Sequence, residues 1–186
     1  SSHTPLAIRS SSMLEDAMYQ PFAGVYSTKM IPNHDPNPDH RFHRLVEAIK
    51  LVYASVFFRE ARDYRKAAGK GDLDEKMAVI IQEVVGTKHD QRFYPDVSGV
   101  GRSYNYYAFS PAKPEDGVFS LALGLGKLIV DGGLSWTYSP ALPKANPPVG
   151  SPGDLLDRTQ TAFWAVHMGP PPPYDPVRET EYLVMA

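Results

Sequence analysis

The chain has no cysteine in its 186 residues, which removes disulfide frameworks, thiolate metal sites and cysteine nucleophiles together. That absence fits a reducing compartment, and the cytoplasm is the expected location. Long hydrophobic runs are missing as well. The apolar stretches are short and interrupted, and the opening SSHTPLAIRSSS lacks the basic-then-apolar pattern of a signal peptide, so no membrane association is expected. Nor does one sign of charge dominate: 19 Lys and Arg against 21 Asp and Glu leave a formal net charge of −2. No segment concentrates the basic residues, and nucleic acid is not expected as a partner. Motif absences narrow the field further. There is no GxSxG, no HExxH and no GxxxxGK[ST] P-loop, and His3, His34, His40, His43, His89 and His167 show no ligand spacing. His40 and His43, three apart at a helix start, read as surface, and no metal site is expected within the chain. What is present, 42% hydrophobic residues over this length, suffices for one soluble domain spanning 1–186.

Along the chain, Phe42, Leu45, Val46, Ile49, Val52, Tyr53, Val56 and Phe57 recur at three-and-four spacing, which predicts one amphipathic helix over 41–66. Asp39 is placed to cap its start. Arg59, Arg62, Arg65 and Lys66 suit its negative end as a solvated cluster, and Gly69 with Gly71 stops it. MAVIIQEVV, residues 77–85, is short, β-branched and almost unbroken in apolar character, which predicts a central strand covered on both faces. Further strands are predicted over 99–109, 117–123, 134–138 and 163–167, the first two separated by the turn SPAKPEDG. From 140 to 186 the composition shifts to Pro, Gly and Asn, with a polyproline run at 170–173, and predicts loops around two short elements. No repeat occurs, and the irregular order of helix and strand favours α+β over a doubly wound parallel sheet.

Two stretches carry candidate chemistry. In LAIRSSSMLED an arginine ends a short apolar strand and is followed by serine hydroxyls. Arg9 offers a fixed positive fork and Ser10 begins a run of donors, the groups that phosphate oxygens need. Gly24 then lets the backbone approach a ligand with no Cβ in the way. The same letters occur in ordinary surface loops, so local composition leaves both readings open. In LALGLGKLIVDGG, Gly124 and Gly126 sit at a strand-to-helix turn that can expose backbone donors, although the full dinucleotide spacing is absent. Gln82 and Glu83 are polar residues at the end of an apolar strand; they either meet a ligand's edge or point to solvent where the sheet ends.

The order of these pieces resembles the nucleotide-binding domain of the phosphoenolpyruvate synthase and pyruvate phosphate dikinase family. AIRSSSMLED followed by FAGVYSTKMIPN is similar to that family's arginine-serine motif, acidic pair and small-Gly loop. AIKLVYASVFFREARDYRKAAG resembles its long helix, MAVIIQEVV its Val-Gln-x-Met-Val strand, SGV at 98–100 the start of the next strand, and LALGLGKLIVDGG a GLGE-x-V-x-x-G element. The resemblance covers residues 5 to 139 and implies an ATP-grasp-like α+β fold, here an incomplete domain with a divergent Pro-rich part over 140–186. It implies ATP and Mg2+ as cofactors, and phosphoryl transfer toward pyruvate through phosphohistidine and PEP/pyruvate domains elsewhere in the parent protein. Arg9 would contact the phosphates as the catalytic residue, with Ser10 beside it in the motif and Gly24 in the phosphate-covering loop. Tyr26 and Thr28 would lie on the strand beside the nucleotide, Gln82 and Glu83 on the matched central strand, and Gly124 and Gly126 in the turn near ribose and adenine. Lys127 stands where the family usually has a glutamate. The family's upstream lysine, its late strand with two acidic metal ligands and its phosphocarrier histidine motif are not in these residues. The chain is therefore expected to be a piece of a larger protein that turns over nothing alone, or else a nucleotide-sensing or interaction module of the same fold.

Overall fold

A computed structural model describes residues 3–12, 14–15, 24–69, 75–144, 151–157 and 159–186. The chain divides into two compact units, Ser1–Phe93 with Val166–Val184, and Tyr94–Ala165 with Met185–Ala186. Both are built on antiparallel pairings, and the mixture of helices and antiparallel sheets is the α+β class expected from the element order.

The first unit is organised by β1 (Leu6–Ser12), which pairs on one side with β2 (Lys29–Ile31) and on the other with β3 (Met77–Glu83). Every residue of β1 has a partner on β3, from Leu6 opposite Glu83 to Ser12 opposite Met77. The predicted strand at 77–85 is thus present, but it is an edge strand of this sheet, and β1 takes the centre. Ile80 and Ile81 are 41% and 47% exposed. An unbroken apolar run reports that both faces of a strand are apolar; it carries no information about which neighbour pairs with it.

Helix α1 (Pro38–Ser55) packs Ala48 and Val52 against Ile8 and Ile31, with Leu45 and Ile49 at the margin. Asn37, rather than Asp39, caps it: its side chain accepts from the Asp39 backbone N–H at 2.9 Å, and Pro38 occupies the first helical turn where no N–H is needed. The predicted single helix breaks at 56–58, and α2 (Arg59–Ala67) follows. At the corner the Ser55 hydroxyl donates back to the Val52 carbonyl at 2.7 Å, and the amides of Val56, Phe57 and Phe58 bond carbonyls three residues earlier before Phe58 turns extended. Apolar periodicity runs through this corner unchanged, which is why it reads as one helix. Gly69, at φ 69°, ends α2 as predicted; Gly71 lies outside the described residues. Arg65 departs from the solvated cluster assigned to that end and is buried.

Strands β4 (Thr87–His89), β5 (Arg92–Tyr94), β9 (Trp164–His167) and β10 (Leu183–Met185) form a second sheet in the order β10-β9-β5-β4. Only β9 was predicted. The other three are three residues long, below what alternation can signal.

The second unit contains the meander of β6 (Ser98–Arg102), β7 (Val118–Ala122) and β8 (Trp136–Tyr138). A short 3₁₀ turn at Pro114–Asp116 lies in the predicted SPAKPEDG turn. β6 stops at Arg102, short of the predicted Phe109. The ring of Phe119 lies across its partner Gly101, where a Cβ would come within 2.8 Å of the ring, and it stacks on Tyr138 at 5.8 Å. Helix α3 (Lys127–Val130) follows β7, and α4 (Pro152–Asp157) lies in the Pro-rich part.

Candidate functional site

The two-residue period of β1 sorts the RSSS motif between faces. Ile8 belongs to the side packed on α1, together with Met77 and Val79 of β3. Arg9 therefore belongs to the opposite, outer side, as does Gln82, whose partner is Ala7. The two side chains meet there: Arg9 Nη1 donates to Gln82 Oε1 at 3.3 Å, and both are exposed. The β1–β2 ladder ends at Ile8 opposite Lys29, so Thr28 follows at the next rung, on Arg9's side of the alternation. Ser10 and Glu83 fall on the inner side.

The serines have a partner already. Ser10 Oγ donates to Glu15 Oε1 at 2.6 Å, and the Ser12 backbone N–H donates to Glu15 Oε2 at 2.8 Å. In return Ser12 Oγ accepts from the Glu15 N–H at 3.3 Å. This is the reciprocal pattern of a capping box, and its signal, Ser followed three residues later by Glu, is in the sequence. The Ser10 and Ser12 hydroxyls thus close a turn with an internal carboxylate, while Arg9 stays available on the other face.

Gly24 opens the next described segment at φ 79°, a left-handed conformation that a side chain would strain. Tyr26 and Thr28 precede β2 instead of lying on a strand, and Tyr26 is buried against Val56 and Ala61 beside the helix break. Two contacts fasten this segment. The Ser27 N–H donates to Ser55 Oγ at 3.1 Å, and Arg65 Nη1 donates to the Tyr26 hydroxyl at 3.4 Å. Burial raises the Tyr26 pKa above the usual tyrosine value, against the opposing effect of the Arg65 hydrogen bond. Arg65 was missed as a site-building residue because, in sequence, it is one member of an exposed-looking basic cluster.

In the second unit, Gly124 and Gly126 occupy the predicted strand-to-helix turn between β7 and α3. Gly124 is buried at φ 74°, and a Cβ there would meet Phe163 Cδ2 at 2.5 Å. The following amide, of Leu125, donates to the Trp164 carbonyl at 2.9 Å, and the Gly124 carbonyl accepts from Ser98 Oγ at 2.6 Å. These demands explain the glycine by packing. Gly126 is less constrained, since its added Cβ would make only an ordinary contact of 3.5 Å with Ser98. Lys127 pairs with Asp131 at 3.2 Å.

Among the described residues no group of three or more His, Cys, Asp or Glu is arranged to hold a metal ion, and no helix is long and apolar enough to cross a membrane.

A buried element that sequence reading missed is Lys29. Its ammonium donates to the carbonyls of Asp175 and Arg178 at 3.2 and 2.9 Å and to Glu181 Oε2 at 2.5 Å, so all three of its N–H donors are used. Glu181 also accepts from the Asp175 N–H at 3.0 Å.

An arginine-bearing strand, a glycine loop fastened to a broken helix, a strand carrying Gln82 and a glycine turn follow one another in this order. Residues 1–141 match the family described as pyruvate phosphate dikinase, AMP/ATP-binding domain. The chain belongs to that family, and its mixed α+β structure is an ATP-binding domain of the ATP-grasp type.

Proposed function

We propose that the chain is the ATP-binding part of a phosphoenolpyruvate synthase-related phosphotransferase. In this reading Arg9 holds the nucleotide phosphates, and the transferred group passes to a histidine on a domain outside these residues on its way to pyruvate. The observation that carries the reading is the pairing of Arg9 with Gln82 on the open face of the first sheet. A guanidinium held there by a neutral amide keeps its full charge and has further N–H donors to offer to phosphate oxygens. In this reading Gly24 lies in the phosphate-covering loop. Gly124 and Gly126 belong to the ribose and adenine side in the family's arrangement. In this reading the isolated chain binds ATP weakly and turns over nothing, since the family's late strand with two acidic metal ligands is not among the motifs it resembles.

A second reading, a nucleotide-sensing or interaction module without catalysis, draws on Lys127. Its ammonium is engaged by Asp131, at the position where the family usually has a glutamate. Calorimetric titration of the chain with Mg-ATP, with Arg9→Ala alongside, tests the binding that both share. Saturable heat that is lost in the variant is the expected result. A folded protein that gives no heat, or gives the same heat without Arg9, overturns the assignment of Arg9. If binding is found, adding the parent's downstream histidine domain and following phosphohistidine formation separates the two readings.

A further inference from the structure

A cavity of about 290 Å³ lies in the first unit, where the segment between β2 and α1 faces the polyproline run after β9. One wall holds Pro32, His34, Asp35 and Arg44, and the other holds His167, the prolines 170–172 and Tyr182. The second wall comes wholly from residues beyond the family-matched 1–141, and the Lys29 contacts to Asp175, Arg178 and Glu181 hold the segment preceding Tyr182 in place.

The chemistry of the lining selects an occupant. Proline rings and the Tyr182 ring give flat, rigid apolar sides with little rotamer freedom to lose. The polar groups are few and converge, as in small-molecule sites, and the volume lies at the small end of that class. The cavity's one fixed cation is Arg44, whose Nη2 reaches Asp35 Oδ2 at 3.5 Å. Asp35 is already shared: it accepts from the Asn37 N–H at 2.9 Å and faces His40 at 3.4 Å. One carboxylate answering several donors leaves Arg44 with fork donors to spare. Two imidazoles complete the polar rim. His167 Nε2 lies 3.0 Å from the Pro170 carbonyl, which requires that nitrogen to carry the proton. His34 Nδ1 is enclosed with no hydrogen-bond partner among the described residues, a condition rare in folded proteins unless a ligand or water completes it. Burial, followed by the charges of Lys88 and Arg44, lowers the His34 pKa.

We propose that this cavity is a binding site for a small organic anion, its charged head on Arg44 and its apolar body between the prolines and Tyr182. The site is separate from the Arg9 face and does not rest on the nucleotide reading. One of its walls lies in the family-matched residues and the other beyond them.

The test uses the 186-residue chain with benzoate as the organic probe and inorganic phosphate as the head-group control. Histidine ring ¹H–¹⁵N spectra are recorded through each titration, with signals assigned from His34→Gln and His167→Gln. Expected is a saturable benzoate shift of the His34 and His167 rings with a Kd of about 1 mM or tighter. Affinity drops about tenfold or more in Arg44→Gln and is unchanged in Arg9→Ala. The wild-type titration stands even if Arg44→Gln fails to fold, and Arg44→Lys, which keeps the charge but loses the fork, then serves as the second variant with an intermediate loss. No saturable shift of either ring overturns the site. Equal affinity for phosphate overturns its organic specificity, and a shift indifferent to both Arg44 variants overturns the role of Arg44.

Discussion

Ser10 and Arg9 are adjacent in the chain and belong to opposite faces of one strand: the Ser10 hydroxyl closes on Glu15 at 2.6 Å, and the Arg9 guanidinium meets Gln82 at 3.3 Å. Substitutions at the two positions should therefore separate. Arg9→Ala is expected to weaken Mg-ATP binding by about 1.5 to 3 kcal/mol, the scale of a charge-assisted contact, with little change in stability. Ser10→Ala is expected to leave ATP affinity nearly unchanged and to lower stability by about 1 kcal/mol, because Glu15 loses a donor. Calorimetry and urea melts on both variants check this; a larger loss of ATP affinity in Ser10→Ala than in Arg9→Ala would reverse the assignment of faces.

Lys29 and Glu181 are both buried and mutually dependent. Removing one partner leaves an uncompensated charge, and Lys29→Met is expected to cost about 3 to 5 kcal/mol. The double variant Lys29→Met, Glu181→Leu should recover much of that loss. Chemical denaturation of the four forms measures the coupling, and additive losses would show that the pair does not act as a unit.

Gly124 and Gly126, two residues apart, should tolerate alanine differently. Gly124→Ala combines a left-handed φ with a 2.5 Å approach to Phe163, and a loss of roughly 2 to 4 kcal/mol is expected from strain and overpacking. Gly126→Ala meets only an ordinary contact and should stay within about 0.5 kcal/mol of the parent. Thermal melts of the pair decide it, and equal destabilisation would contradict the geometry.

Two groups, the buried Tyr182 and the half-buried His34, give stability opposite pH limits. Burial, reinforced by the Glu181 charge, pushes the Tyr182 hydroxyl up to about 12. Its folded-state pKa lies above the unfolded value, so its contribution is intact below about pH 10 and is lost as pH rises toward 12. His34 has a lowered folded pKa, so its contribution is present above the ordinary histidine pKa and is lost as pH falls through the lowered value. Urea midpoints of Tyr182→Phe should hold up better than wild type above pH 10, and those of His34→Gln should fall less on acidification. Parallel pH profiles in parent and variants would remove these groups as the cause.

Much of this was legible in the residues. The α+β class, the strands at β1, β3, β6 to β9 and the glycine turn before α3 follow from local alternation and punctuation, which act over a few residues. The order of motifs pointed to the family. What was not legible is pairing. MAVIIQEVV reads the same at the centre or the edge of a sheet, and only its ladder with β1 decides. The helix corner at 56–58 depends on a serine hydroxyl whose second partner lies 28 residues away. Arg9 stands out in the sequence by its charge, but the alternation that puts Ser10 on the opposite face of the same strand was not applied. Lys29 and Arg65 were passed over because a basic residue in sequence looks solvated until its partners are known.

The Lys29 contacts bear on what counts as a unit of this protein. Family likeness stops at residue 141, yet an ammonium near the start of the likeness finds all three of its acceptors between residues 175 and 181. Homology and cooperativity therefore draw different borders. Trimming the chain to its recognisable portion would take Tyr182 out of the core it shares with Ile8, Ile31 and Val52 and leave Lys29 without its acceptors, so the unfamiliar C-terminal residues are as much a part of what folds as the motifs that reveal its ancestry.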